Sequence, residues 1–144
     1  MNLSQLAGSK VYLDTNIFIY AFETENRWTS VLRALFRQIE VGTVHGVTSE
    51  LTIAEVLVKP LMVKDDKMVV RYSSILGPDS GLELVPVSRL VLEDAARIRA
   101  ETRLKLFDAI HVASAKGARY LITNDERLSS WPVIGVHLGE LTDG

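Results

Sequence analysis

Four carboxylates occupy positions where a folded chain rarely leaves an acid without a task. Asp14 follows the apolar stretch Val11–Leu13 in KVYLDTN, and Asp125 closely follows Tyr120–Thr123 in YLITND. Glu55 lies within LTIAEVL and Asp108 within LFDAIHVASA, both rich in apolar or small residues. Lys59 is the only Lys or Arg three or four places from Glu55, and Lys105 the only one so placed for Asp108. Carboxylates are seldom buried unpaired. Gathered at one edge they repel and raise each other's pKa unless a cation sits among them. Oxygen donors without sulfur suit Mg²⁺ or Mn²⁺, hard ions that keep waters and share their coordination with substrate phosphates. The chemistry implied is phosphodiester hydrolysis, in which such an ion acidifies water, neutralises phosphate and stabilises the leaving oxygen, so no side-chain nucleophile is required. The chain has no Cys, which excludes disulfides, thiolate zinc sites and cysteine nucleophiles, and fits a reducing compartment.

The elements needed to position these acids can be read from periodicity. Val11–Leu13 reads as a short buried strand that ends at Asp14 and turns into a helix. Leu32, Leu35, Phe36 and Ile39 mark one face of a helix over Thr29–Glu40, closed by Gly42. Val44–Thr48 reads as a second strand, followed by a helix with Ser49 as N-cap that runs through Glu55 and stops near Pro60. A helix over Lys64–Leu76, a loop at Gly77–Gly81 and a third strand at Leu84–Val87 follow. Helices over Arg89–Thr102 and Leu106–Lys116, the latter ended by Gly117, precede a fourth strand at Tyr120–Thr123 and a weaker fifth at Val133–Val136. Alternating strands and helices, with strands too apolar for a wet face, predict a three-layer α/β/α fold around a parallel sheet of four or five strands. In such sheets chemistry collects beyond the carboxyl ends of the strands, where Asp14 and Asp125 fall.

The length of 144 residues suits one domain spanning 1–144. No apolar run is long enough to cross a bilayer, and MNLSQLAGSK lacks the pattern of a signal peptide, so a cytoplasmic protein without membrane contact is expected. The balance of 16 basic and 18 acidic residues, a net charge of -2, argues at first against RNA as a partner. Setting four metal-committed carboxylates aside makes the remainder positive, so binding should depend on local basic clusters and metal. Arg97, Arg99, Arg103 and Lys105, opposed only by Glu101, form such a cluster before Asp108. They read as a solvated helix face or as phosphate contacts. Arg27, Arg33 and Arg37 form a weaker group, and Tyr20, Phe22 and Trp28 suit packing better than base stacking.

VYLDTNIFIYAF, SELTIAEVL, FDAIHVASA and TNDERL, in this order and spacing, resemble the PIN-domain nucleases, and the chain's size is similar to that of the VapC toxins of toxin–antitoxin pairs. The resemblance covers nearly the whole chain except the stretch between Glu55 and Arg97. It implies a Mg²⁺-dependent endoribonuclease that leaves a 5′-phosphate and a 3′-hydroxyl. It also implies a homodimer, silenced by an antitoxin whose C-terminal segment covers the acidic pocket. The family's acids map onto Asp14, Glu55, Asp108 and Asp125. Its polar helpers map onto Thr15 or Asn16 and onto Thr123 and Asn124.

Each residue also has an ordinary reading. Asp14 or Asp125 alone could cap a helix or form an Asx turn, and Glu55 alone could face water. Asp108 could complement the helix dipole, worth at most about 1 kcal/mol. His111, three residues after Asp108 on the same helical face, is read as a hydrogen-bonded packing residue in preference to a ligand or general base. His45 and His137 belong to no motif. Thr123 could orient water or simply finish its strand. Rival functions are a PIN-fold RNA-processing nuclease outside a toxin–antitoxin system and a non-catalytic binding module. An aspartyl-phosphate phosphatase would need a second Asp two residues after the first, and Asn16 stands there.

Overall fold

The computed structural model describes residues 1–129 and 134–143. Strands β1 (Lys10–Leu13), β2 (His45–Ser49), β3 (Glu83–Val85), β4 (Tyr120–Thr123) and β5 (Ile134–His137) form one sheet in the order β3-β2-β1-β4-β5. All neighbouring strands are parallel, with Leu13 opposite Ile122 and Tyr12 opposite both Val47 and Leu121. Helices α1 (Thr15–Phe22), α2 (Thr29–Glu40), α3 (Leu51–Met62) and α4 (Asp66–Ile75) precede β3, α5 (Arg89–Thr102) and α6 (Leu106–Ser114) precede β4, and α7 (Glu126–Ser129) precedes β5.

The pleat sends alternate strand residues to opposite faces. Val11, Leu13, Tyr120 and Ile122 join a core built with α1 and α2 together with Val56 and Tyr72. Tyr12, Val47 and Leu121 join the other core, built with α5 and α6. The three-layer α/β/α reading is therefore correct. The chain winds outward from β1 to β2 and β3, then returns to place β4 on the free side of β1. This makes the β1/β4 boundary the topological switch point, where the carboxyl ends of an open α/β sheet leave a crevice.

Most predicted elements lie within a residue or two of their expected bounds. Helix α3 ends at Met62, two residues after the expected stop, so that Pro60 falls inside its last turn. Proline lacks an N–H and strains a helix interior, but Pro60 is buried in the final turns, and Val63 N–H still reaches the Lys59 carbonyl at 3.0 Å. Ser49 belongs to β2; Glu50 occupies the N-cap position, and Ser49 Oγ accepts from Leu51 N–H at 3.0 Å. In the fifth strand the described part is Ile134–His137, and Val133 lies outside the described residues. The C-terminal tail carried no readable pattern. It is pinned to the N-terminus: Leu3 N–H donates to Thr142 O at 3.0 Å, Thr142 N–H to Met1 O at 2.8 Å, and Leu141 is buried.

Candidate active site

Parallel pairing of β1 with β4 brings Asp14 beside Thr123, although 109 positions separate them. Asp14 is buried and caps α1, its Oδ1 accepting from Thr15 N–H at 2.9 Å. Its Oδ2 accepts from the Thr123 hydroxyl at 2.7 Å and the Asn16 amide at 3.3 Å. The helix-cap reading of Asp14 is thus correct, and it leaves the carboxylate rigidly held at the switch point. Asn16 Oδ1 accepts from Asn124 N–H at 3.3 Å, and Asn124 Nδ2 donates to Tyr20 Oη at 2.9 Å, so helix α1 and the loop that follows β4 are tied together.

Glu55 approaches from α3. Its Oε1 accepts from Thr15 Oγ1 at 2.7 Å and lies 2.6 Å from His111 Nε2. His111 is buried on α6, with Nδ1 2.7 Å from Tyr12 Oη and Nε2 3.1 Å from Thr15 Oγ1. Burial alone would lower the imidazole's pKa, but the Glu55 hydrogen bond and the charges of Asp14, Glu55 and Asp108 raise it above the usual histidine value. Burial would raise the Glu55 carboxyl, and the hydrogen bond and charge of His111 outweigh it and hold the group below its usual range. The hydrogen-bonded reading of His111 is therefore correct. Its partner is one of the four acids, which helical spacing did not reveal.

Asp108 lies in the first turn of α6, and Asp125 follows β4. Burial and the charges of Asp14 and Asp125 push the Asp108 carboxyl above the usual aspartate value. Asp125 Oδ1 accepts from Arg127 N–H at 2.9 Å, forming the cap expected of an isolated acid. Arg127 Nη2 reaches Asp125 Oδ2 at 2.7 Å and Asp108 Oδ2 at 3.4 Å. These contacts hold the Asp125 carboxyl below its usual value, the side-chain hydrogen bond contributing most.

The family model for the PIN domain matches residues 11–132. The chain belongs to the PIN domain family. Its fold is shared with a toxin–antitoxin complex from Klebsiella pneumoniae, at 25% identity and a TM-score of 0.67, covering 89% of this chain and 97% of that one. Two further solved structures have the same fold. VapBC2 from Rickettsia felis, bound to a DNA fragment from its promoter, matches at 18% identity and a TM-score of 0.69, over 89% of this chain and 98% of that one. FitAcB from Neisseria gonorrhoeae matches at 19% and 0.65, over 91% and 99%. A CinA-like protein of Shewanella loihica is 30% identical over 108 residues, 75% of this chain, but this chain spans only 24% of that protein's length.

In this PIN domain the donors at the switch point are carboxylate oxygens, which suit a hard divalent ion. The mutual repulsion registered at Asp108 is what such an ion would relieve. Among the described residues no three of the acidic or histidine side chains converge tightly enough to form a metal cage. The Arg127 guanidinium already bridges Asp108 and Asp125, the role a cation would take. Arg127 was not anticipated from the sequence; its nearness in sequence to Asp125 was the available signal.

The proposed RNA-contact cluster divides. Arg97 pairs with Asp94 at 3.1 Å, and Arg99 donates to the Leu104 carbonyl at 2.6 Å, so both have local partners on the α5 side. Arg103, in the left-handed conformation that ends α5, and Lys105 directly precede α6 and its Asp108. Of the earlier arginines, Arg33 pairs with Glu25 and Arg27 stacks over Trp28. Arg33 and Arg37, with Phe22 and Arg71, line a cavity of about 510 Å³ among α1, α2 and α4, to which none of the four acids contributes.

Proposed function

We propose that this PIN domain is a metal-dependent endoribonuclease and the toxin of a toxin–antitoxin pair. The observation that carries the reading is the placement of Asp108 within electrostatic reach of both Asp14 and Asp125 at the sheet's switch point, which raises the Asp108 carboxyl. The 25% identity to a chain of the Klebsiella complex over most of both chains supports the toxin assignment.

Asp14, Glu55, Asp108 and Asp125 are the residues that would hold Mg²⁺ or Mn²⁺. A bound ion supplies acidified water and neutralises charge on the phosphate and the leaving oxygen. The chain's own contribution is preorganisation: Thr15 N–H, Asn16 and Thr123 fix Asp14, and Thr15 and His111 hold Glu55. Arg103 and Lys105 would meet phosphates of the RNA. Cleavage leaves a 5′-phosphate and a 3′-hydroxyl. The protein acts in the cytoplasm as a homodimer, and a cognate antitoxin covers the acidic pocket.

The test is substitution of Asp14→Asn or Asp108→Asn. Asn caps helices as well as Asp, so D14N keeps the start of α1. Both variants are expected to lose Mg²⁺-dependent cleavage of mixed RNAs and growth inhibition, as does the wild-type chain in EDTA. Full cleavage by either variant refutes the assignment.

A further inference from the structure

His111 is buried, uses both ring nitrogens, and links β1, α1, α3 and α6 through side-chain contacts to Tyr12, Thr15 and Glu55. A buried imidazole needs a partner at each ring nitrogen whatever its role, so what points beyond packing is that one of these partners is Glu55 of the acidic site. The contacts are also directional. Nδ1 lies 2.7 Å from Tyr12 Oη, which fixes ring rotation, and Nε2 lies 2.6 Å from one specific oxygen of Glu55. Thr15 Oγ1 donates to the same oxygen at 2.7 Å, so Oε1 is occupied twice and Oε2 accepts neither bond.

We propose that His111 is the positioning residue of the acidic site, clamped by Tyr12 and holding Glu55 through Oε1 so that Oε2 is the oxygen left for the divalent ion. This rests on the reading of the site as a metal-dependent nuclease centre. Glutamate has a long, flexible side chain, and Glu55 is partly exposed at the helix surface. Held by the Thr15 hydroxyl alone, it would sample more rotamers, including ones that turn Oε2 away from the site. Partners that orient ligating side chains in this way typically change metal affinity about ten- to a hundredfold when removed.

Two substitutions separate positioning from packing. In H111Q the amide nitrogen can occupy the place of Nε2, so the donor to Glu55 is kept and the Tyr12 contact is lost. In H111N the amide matches Nδ1, so the Tyr12 contact is kept and Glu55 is out of reach. Mn²⁺ binding to the full chain without RNA is measured by calorimetry, with folding checked by thermal melts. H111N is expected to bind Mn²⁺ about ten- to a hundredfold more weakly than wild type, and H111Q to recover most of that loss. If folded H111N and H111Q bind equally well or equally poorly, positioning through Nε2 is wrong. A wild-type chain that binds no Mn²⁺ overturns the metal-site reading and this inference together; binding with no difference between the variants overturns this inference alone.

Discussion

Replacing Thr123 by Val tests how firmly the site is built. Thr123 is fully buried at the end of β4, where its hydroxyl donates to Asp14 Oδ2 at 2.7 Å and accepts from Asp125 N–H at 3.0 Å. Valine has nearly the same shape, so no cavity opens. What disappears is a donor to a buried carboxylate, and hydrogen bonds to charged groups contribute about 1.5–3 kcal/mol. The Asp125 N–H is only part-buried and can find water at small cost. We expect T123V to lose about 2 kcal/mol, which in a chain of this length lowers Tm by about 6–8 °C. Thr123→Ser keeps the hydroxyl and removes one methyl group, for a loss of about 1 kcal/mol or less. Urea denaturation followed by circular dichroism in EDTA ranks the two. If T123V proves as stable as T123S, the Thr123–Asp14 bond does not carry the energy assigned to it.

Two further outcomes follow from the charges around the site. In the metal-free chain, His111 titrates above its usual 6.5 and Glu55 below its usual 4.5. A raised histidine contributes stability that is full below 6.5 and lost as pH climbs through the higher folded value; a lowered glutamate contributes stability that is full above 4.5 and lost as pH falls through the lower folded value. The Tm difference between wild type and H111Q, measured by calorimetry in EDTA, should be greatest between these values and shrink as pH rises past 6.5; a difference constant from acid to alkaline pH would contradict the coupling. Arg127→Ala should let the Asp125 carboxyl rise towards its usual 3.8 and push Asp108 still higher, as read by carbon NMR of the carboxyl groups. Unmoved titrations would mean that the guanidinium bridge does not persist in solution.

The spacing of apolar residues was enough to reveal the strands, most helices and the three-layer arrangement, because hydrophobic periodicity is a local property. The four acids were visible for the same reason: each interrupts an apolar or small-residue run, as Asp14 does after Val11–Leu13. The end of α3 was legible only to within two residues of Pro60, because the cost of a proline depends on where in a helix it falls and on what buries it, neither of which the neighbouring residues disclose.

Residue order along the chain therefore established which side chains could do chemistry and what kind of sheet would carry them. Their assembly was decided elsewhere. Strand order placed β4 next to β1, so Thr123 reached Asp14, and packing of α3 and α6 over the sheet joined Glu55 to His111 and Tyr12. The Arg127 bridge likewise joins Asp125, two residues away, to Asp108, nineteen residues away. Such partnerships span large separations in sequence and depend on angles set by sheet twist and helix packing, which no local pattern encodes.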